Sequence, residues 1–336
     1  MRSLLKQVLL LVPVMLALSA CSVHEWPDSD PAGVTVVLDL DLSGFGDYKT
    51  IEYSTKGGSR EERLVRYTVR AYRLLPDGSS EQTPRYSQTF LRGTQFEKRM
   101  EFRLSIPDGR YMFAIWADFS GADGTGAFYD IDDFSDIRLD CSERGCTDYK
   151  DAFRGTAEAS VARGRSGART VVPVRLERPL AKVRFISTDL EDFITKVMEA
   201  RKSEVGRPEA TDIDFSAYRV YLRYTGYLPS AYNIFTAKPF DSSVGVSLTS
   251  EITPSGENEA LLGFDYVLTN GTEASVMMAV ELQNLSGETL SRSGSIEVPL
   301  KRAHLTTVRG RFLTQEVGGG IGVDPGFDGN FDIRIE

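Results

Sequence analysis

Alternating apolar and polar residues run along most of this chain and predict β-strands. The first clear case is 34–42 (VTVVLDLDL), where apolar side chains alternate with acidic ones toward the end, as in a half-buried strand. Further strand-like runs lie at 66–75, 98–106, 110–119, 157–162, 169–177, 180–188, 216–226, 259–269, 274–284, 293–301 and 304–314. Many short strands at regular intervals are typical of β-sandwiches. No strict internal repeat links the two halves, although both share this β character.

Two Pro-Asp-Gly turns divide the strands of the first half. The turn at 76–78 ends one strand, and the turn at 107–109 stands between the strands predicted at 98–106 and 110–119. Because these residue types favour tight turns, we expect those two strands to pair as a hairpin.

One segment has helical rather than strand periodicity. Over 189–204 the apolar residues recur every three to four positions and form one stripe. Asp189 stands where a side chain can cap the helix, and Glu191 and Asp192 favour its positive N-terminal end. The sequence therefore predicts an all-β protein with one short helix.

The first residues have the features of an export signal. Arg2 and Lys6 precede a short apolar run at 8–18, and small residues lead directly to Cys21. That run is too short to span a bilayer as a helix, which takes about 20 residues. The small residues before a cysteine form a lipobox, so we expect cleavage before Cys21 and acylation of its thiol. The lipid would anchor the mature chain in a membrane leaflet.

The chain then divides into four predicted parts. Residues 1–20 are the lipoprotein signal peptide, and the polar, Pro-rich stretch 21–33 is a tether. An N-terminal β-sandwich domain follows at 34–177. A C-terminal β-sandwich domain occupies 178–336 and includes a Gly-rich tail and a terminal strand.

The net charge of the chain limits the classes of partner that it can bind. The formal net charge is −9, and it becomes −11 when the two basic residues of the signal, Arg2 and Lys6, are removed. An acidic chain without a basic cluster is a poor ligand for nucleic acid. The same deficit leaves the lipid as the expected membrane anchor.

Two cysteines remain after Cys21. Cys141 and Cys146 lie in the polar run DCSERGC, and in an exported chain such a pair favours a disulfide. Two free thiols are the first alternative. Half of a metal site is the second, but it needs two more ligands, and the only histidines are His24 and His304.

The motif search finds no catalytic residues and no cofactor other than the lipid. Neither GxSxG nor HExxH occurs, and the glycine run at 318–322 lacks dinucleotide-loop spacing. The acidic residues of 130–136 do not fit the EF-hand pattern, so a solvated loop is favoured over a calcium site. No carboxylate pair stands out for glycoside hydrolysis. We therefore predict no metal site and no enzyme.

Aromatic residues occur within several predicted strands. They are core residues or, alternatively, an exposed platform on which sugars stack. The residues concerned are Phe113, Trp116, Phe119, Tyr218, Tyr221 and Tyr224.

The end of the chain alternates strictly. After the Gly-rich stretch 315–330, the apolar residues Phe331, Ile333 and Ile335 alternate with polar ones up to the last residue. This terminal strand either pairs within its own domain or docks on the sheet edge of another subunit.

Several runs together resemble one family. They are CSVHEWP (21–27), WADF (116–119), YKDAFRG (149–155), RPLAKVRFISTDLEDFI (178–194), RYTGY (223–227), GFDYVL (263–268), VPLKRAHLTTVRGRFLT (298–314) and GGGIGVDPGFDGNFDIRIE (318–336). Their order resembles the fimbrillin-like surface lipoproteins of the Bacteroidota, in particular FimB-type fimbrial anchor or accessory subunits and their DUF6562 relatives. The resemblance implies two tandem transthyretin-like β-sandwich domains.

The resemblance also implies a way of assembling. In such fimbriae a structural subunit loses its first strand by cleavage after an arginine, and a donor strand from another subunit fills the groove. Anchor subunits stay lipidated and keep that strand, which here is 34–42. Arg60 and Arg63 are the possible protease site or, alternatively, part of an ordinary charged loop. Phe331, Ile333 and Ile335 are the candidate donor-strand residues.

The sequence therefore favours a non-catalytic, lipid-anchored surface subunit that anchors or caps a fimbria. Its expected partners are the outer membrane and fimbrial structural subunits. The alternatives are a free-standing surface lipoprotein that binds glycans or a host surface and, less favoured, a surface hydrolase.

Overall fold

The computed structural model describes residues 34–42, 63–142, 145–162, 169–202, 213–271, 274–315 and 332–334. The strands of the first half are β1 (Val34–Asp41), β2 (Leu64–Arg73), β3 (Tyr86–Arg92), β4 (Arg99–Ile106), β5 (Gly109–Ser120), β6 (Tyr129–Asp130), β7 (Ile137–Leu139), β8 (Phe153–Val161) and β9 (Thr170–Arg175). Those of the second half are β10 (Leu180–Ser187), β11 (Tyr218–Tyr224), β12 (Leu228–Asn233), β13 (Lys238–Ser243), β14 (Ser247–Ser250), β15 (Thr253–Pro254), β16 (Ala260–Leu268), β17 (Ala274–Asn284), β18 (Thr289–Arg292), β19 (Ile296–Leu300), β20 (Leu305–Gly310) and β21 (Asp332–Arg334). One α-helix, α1 (Leu190–Lys202), and 3₁₀ turns at Asp148–Lys150 and Phe215–Ala217 complete the described elements.

Two sheets form a sandwich in the first half. One has the strand order β4-β1-β9, and the other has the order β3-β2-β5-β8. β1 is antiparallel to β4 and parallel to β9. Alternate apolar side chains from the two sheets, such as Leu38 and Phe113, meet in one buried core. The period-two pattern of the sequence produces this core because successive side chains point to opposite faces of a strand.

The second half repeats this topology. β10 takes the place of β1, since it is antiparallel to β16 and parallel to β20. The facing sheet has the order β14-β11-β17-β18, and β19 also pairs with β17. β21 adds a further parallel strand beside β20. The predicted all-β class, with β-sandwiches in tandem and one short helix, is confirmed for the described residues.

The hairpin predicted around residues 107–109 is wrong. β4 pairs with β1, whereas β5 lies between β2 and β8 in the facing sheet. The turn therefore carries the chain across the sandwich instead of folding one strand back on the other. Both strands bury one face in the same core, and amphipathic alternation does not reveal from which sheet each strand does so.

The acidic stretch 130–136, predicted as a solvated loop, is flanked by two short strands. β6 and β7 form a four-stranded sheet with β12 and β13 of the other half. Ala231 pairs with Arg138, and the Arg138 guanidinium lies 2.7 Å from the Asp241 carboxylate. The parts predicted as 34–177 and 178–336 thus share a sheet, while the predicted parts 1–20 and 21–33 lie outside the described residues.

The predicted helix is present as α1, but its cap differs. The side-chain oxygen of Asn258 accepts from the backbone N–H of Glu191 at 2.8 Å. The Asp189 carboxylate instead accepts from the backbone N–H of Leu313 and from the N–H and hydroxyl of Thr314. Asp189 thus ties the start of α1 to the segment after β20. Among the described residues, no helix has the length and apolarity to cross a bilayer.

Candidate functional site: strand pairing and the interdomain joint

β1 is fully integrated into its sandwich. Its inward face carries Val34, Val36, Leu38 and Leu40, each no more than 5% exposed. It pairs with β4 over eight residues and with β9 over six. Burying each such side chain contributes about 1.5–3 kcal/mol, so β1 is a major part of this core.

Removing β1 would open a groove one strand wide. β4 and β9 would each lose their backbone partner. Apolar side chains that now contact the strand, such as Phe102 of β4 and Val174 of β9, would face solvent. Such a groove offers both pairing groups and pockets to an incoming strand.

Arg63, one of the two possible protease-site residues, is packed rather than extended. Its guanidinium lies 4.8 Å from the Phe128 ring centroid and 5.5 Å from that of Tyr149. It also donates a hydrogen bond to the Gly126 carbonyl. A protease that recognises an arginine side chain would first have to release it. Arg60 lies outside the described residues.

The terminal strand β21 pairs with its own domain. Ile333 is opposite Val308, and the flanking pairs are Asp332 with Thr307 and Arg334 with Arg309. β21 forms the edge of the five-stranded sheet. The other two candidate donor-strand residues, Phe331 and Ile335, lie outside the described residues.

In the first sandwich, β9 takes the place of β20, and its outer edge is blocked. The Leu176 N–H donates to the Asp41 carbonyl at 2.8 Å, so even-numbered residues of β9 direct their N–H groups toward β1. Pro173 therefore stands where an N–H would point outward, and proline has none. Arg154 and Glu177 also exchange backbone hydrogen bonds of 2.9 Å, which tie the end of β9 to β8. Among the described residues, an extra strand at this edge is present in the second sandwich alone.

Three buried ion pairs connect the halves, and we call them the interdomain joint. Lys150 Nζ lies 3.0 Å from Asp265 Oδ1, and Lys182 Nζ lies 2.5 Å from Asp148 Oδ1. Arg178 donates to Asp151 from Nε at 2.9 Å and from Nη2 at 2.8 Å. The side chains of all six residues are at most 9% exposed.

Tyrosines complete the joint. The Tyr224 hydroxyl donates to Asp265 Oδ2 at 2.8 Å, and the Tyr266 hydroxyl bonds to Asp148. Burial and the neighbouring Asp265 carboxylate raise the pKa of Tyr224 well above its ordinary value. Tyr224 therefore remains a neutral donor to Asp265. Paired charges and satisfied hydrogen bonds are what make such burial tolerable.

The two cysteines contact different strands. The sulfur of Cys141 lies 3.6 Å from the Ser243 hydroxyl on β13. Cys146 is buried against Gly263 on β16, where a Cβ would lie 3.0 Å from its sulfur. Burial raises the pKa of the Cys146 thiol to about 11. Both residues are thiols in the structure, and the disulfide stays a prediction for the oxidised protein.

The acidic loop uses its carboxylates locally. Asp130 accepts from the N–H of Asp132, Asp133 accepts from Ser135, and Asp136 pairs with Arg138 at 2.8 Å. Across the described residues, no three potential metal-ligand side chains are grouped.

The six aromatic residues are mostly in the core. All of them except Tyr221 are at most 8% exposed. Tyr221 is half-buried, with the Arg223 guanidinium 5.1 Å from its ring centroid.

Comparison with known proteins identifies the family. The model of DUF6562, a family of unknown function, matches residues 29–336. The chain belongs to the DUF6562 family. Among curated proteins, none matches it significantly.

Several solved structures are similar to this DUF6562 protein. One is a candidate adhesin from Bacteroides ovatus, with 11% identity, 80% of this chain and 84% of that chain covered, and a TM-score of 0.44. The fimbrial anchor protein Mfa2 from Porphyromonas gingivalis has 13% identity, coverages of 77% and 82%, and a TM-score of 0.36. A fimbrial assembly protein from Parabacteroides distasonis has 13% identity, coverages of 87% and 94%, and a TM-score of 0.39.

Five of the six charged residues of the interdomain joint lie in the runs that carried the resemblance, and Asp148 directly precedes one of these runs. Lys150 and Asp151 belong to YKDAFRG, Arg178 and Lys182 to RPLAKVRF, and Asp265 to GFDYVL. Motif reasoning did not assign these residues a role. The available signal was a charged residue inside an otherwise apolar strand pattern, as with Lys182 and Asp265. Because charges are rarely buried without a partner, that pattern indicates buried pairing.

Proposed function

We propose that this DUF6562 protein is a non-catalytic, lipid-anchored subunit of the cell surface that anchors or caps a fimbria by β-strand addition. The observation that carries the proposal is the position of β1 between β4 and β9. A subunit that keeps this strand has no open groove in its first sandwich. It can therefore end a fibre but cannot extend it in both directions.

The resemblance of the sequence to fimbrial anchor and accessory subunits supports this role. Acylated Cys21 holds the subunit at the outer membrane in this proposal. Thirteen residue steps separate Cys21 from the start of β1 at Val34, a maximum reach of about 45 Å. The folded part would therefore lie near the membrane surface, where it would hold or cap the cell-proximal end of a fibre.

The experiment combines localisation with cleavage mapping. Fimbriae are purified from cells that express wild-type protein, Cys21→Ala or, as the matched control, Cys141→Ala. We expect immunogold label at one fibre end and an acylated N-terminus at Cys21. Only Cys21→Ala should release labelled fibres into the medium. An N-terminus after Arg60 or Arg63, or label along the whole fibre, would show a polymerising subunit and contradict the anchor role.

A second candidate is a free-standing surface lipoprotein that binds glycans or a host surface. It is favoured by the exposed ring of Tyr227, which is 72% exposed, next to Val244, which is 70% exposed. The two residues flank the paired residues Leu228 and Ser243 at the end of β12 and β13. Glycan-array binding that is lost in Tyr227→Ala, in a protein absent from fibres, would favour this candidate.

A further inference from the structure

β3 is a long edge strand with little protection. It pairs with β2 over seven residues and is the outermost strand of its sheet. Its run YSQTFL at 86–91 contains no charge, proline or glycine. Alternate N–H and C=O groups of an edge strand point away from its one neighbour. Natural proteins usually blunt such edges with charge, proline, short length or a covering segment.

The corresponding side of the second sandwich is covered. β14, the counterpart of β3, has four residues, and Gly145 forms a bridge to its Thr249. β15 pairs with the outer edge of β16, the counterpart of β4. Among the described residues, no equivalent pairing covers β3. The two sandwiches share a topology, but among the described residues only the first one leaves this edge strand uncovered.

The charge around β3 is opposite to that of the chain. Five basic and three acidic residues lie in 81–103, whereas the whole chain has a net charge of −9. Arg85 and Arg92 stand at the two ends of the uncharged run, and Arg85 pairs with Glu81 of its own chain at 2.5 Å through side chains that are 56% and 23% exposed. If two copies paired antiparallel through 85–92, Arg85 of one copy would lie opposite Arg92 of the other. Like charges opposite each other destabilise a sheet, which disfavours self-association.

We propose that β3 is a docking edge for an extended segment of a partner protein whose strand is flanked by acidic residues. The segment would pair with the outward backbone groups of residues 86–91. Its terminal carboxylates would meet Arg92 and, in exchange for Glu81, Arg85. The proposal goes beyond the anchor role, since it uses neither β1, nor the terminal strand, nor the lipid.

The test uses two fluorescent peptides that share an alternating Thr/Val core of six residues. One has two Asp residues at each end, and the other has two Lys residues. Binding to the mature protein in detergent is measured by fluorescence anisotropy, and hydrogen–deuterium exchange locates the site. We expect at least tenfold tighter binding of the Asp-flanked peptide, with slowed amide exchange confined to 85–92.

Charge reversal supplies the control. Arg85→Glu/Arg92→Glu should weaken the Asp-flanked peptide at least tenfold and reverse the preference between the peptides. Arg110→Glu should leave both affinities unchanged, because Arg110 is similarly exposed, at 59%, but lies on β5. Equal affinity for both peptides, no binding, or protection at β20 would overturn the proposal. So would slow exchange of 86–91 in the protein alone, which would show that its own chain covers the edge.

Discussion

Replacing Asp265 by Asn tests the energetics of the interdomain joint. The substitution keeps the shape of the side chain but removes the charge that faces Lys150 Nζ at 3.0 Å. The Lys150 side chain is only 4% exposed, so its ammonium would remain buried without a counter-charge. The cost is that of an uncompensated buried cation, not of a lost hydrogen bond alone.

Breaking a buried pair by removing one partner costs about 3–5 kcal/mol, against about 0–1 kcal/mol for an exposed pair. The chain offers a matched exposed pair in Arg311 and Asp192. They lie 2.7 Å apart with side chains 59% and 56% exposed. We therefore expect Asp265→Asn to lower the free energy of unfolding by about 3–5 kcal/mol and Asp192→Asn by less than about 1 kcal/mol.

The assay is urea unfolding of the purified protein at pH 7, followed by tryptophan fluorescence and circular dichroism. Trp116 reports on the shared interface, because its ring lies 5.3 Å from Tyr129 and 6.0 Å from Tyr232. The double variant Lys150→Met/Asp265→Leu should recover part of the loss, since it removes both charges but leaves the buried Tyr224 hydroxyl without its acceptor. Equal effects of Asp265→Asn and Asp192→Asn would refute the reasoning.

Three further predictions follow from particular contacts. Although burial opposes it, hydrogen bonds from Arg223, Gln283 and Arg292 hold the pKa of Glu281 at about 2, below its ordinary 4.5. The stabilisation that the ionised Glu281 carboxylate contributes is complete above pH 4.5 and is lost as the pH falls toward 2. In Glu281→Gln, the melting temperature should therefore fall less steeply over this pH range. Gly155→Ala should destabilise the first sandwich, because a Cβ would lie 2.5 Å from Leu176 Cδ2 and 2.7 Å from the Arg175 carbonyl oxygen. Gly145→Ala is its control, with nothing within 4 Å of the added Cβ, and equal melting temperatures would contradict the packing argument. If Cys141 and Cys146 form the predicted disulfide in the exported protein, its intact mass should be two hydrogens lower before reduction than after, and an unchanged mass would exclude the bridge.

Local pattern predicted the elements that are long and regular. β1, β5 and α1 occupy nearly the predicted ranges, because each has a clear local pattern: alternation in β1, a nearly continuous apolar run in β5 and a helical period in α1. The short strands β6 and β7 were not predicted, because two or three residues inside an acidic stretch are too few to show an alternating pattern. Their pairing with β12 and β13 depends on contacts between distant parts of the chain.

The sequence by itself determined the β class, the single helix and, through its ordered motifs, membership of the DUF6562 family. These properties follow from local periodicity and residue order. Only the tertiary structure decided that β4 and β5 belong to opposite sheets and that Asp189 holds residues 313–314. It also decided that Lys182 and Asp265 neutralise partners from the other half. Strand partners and buried counter-charges are separated along the chain, and only folding brings them within hydrogen-bonding distance.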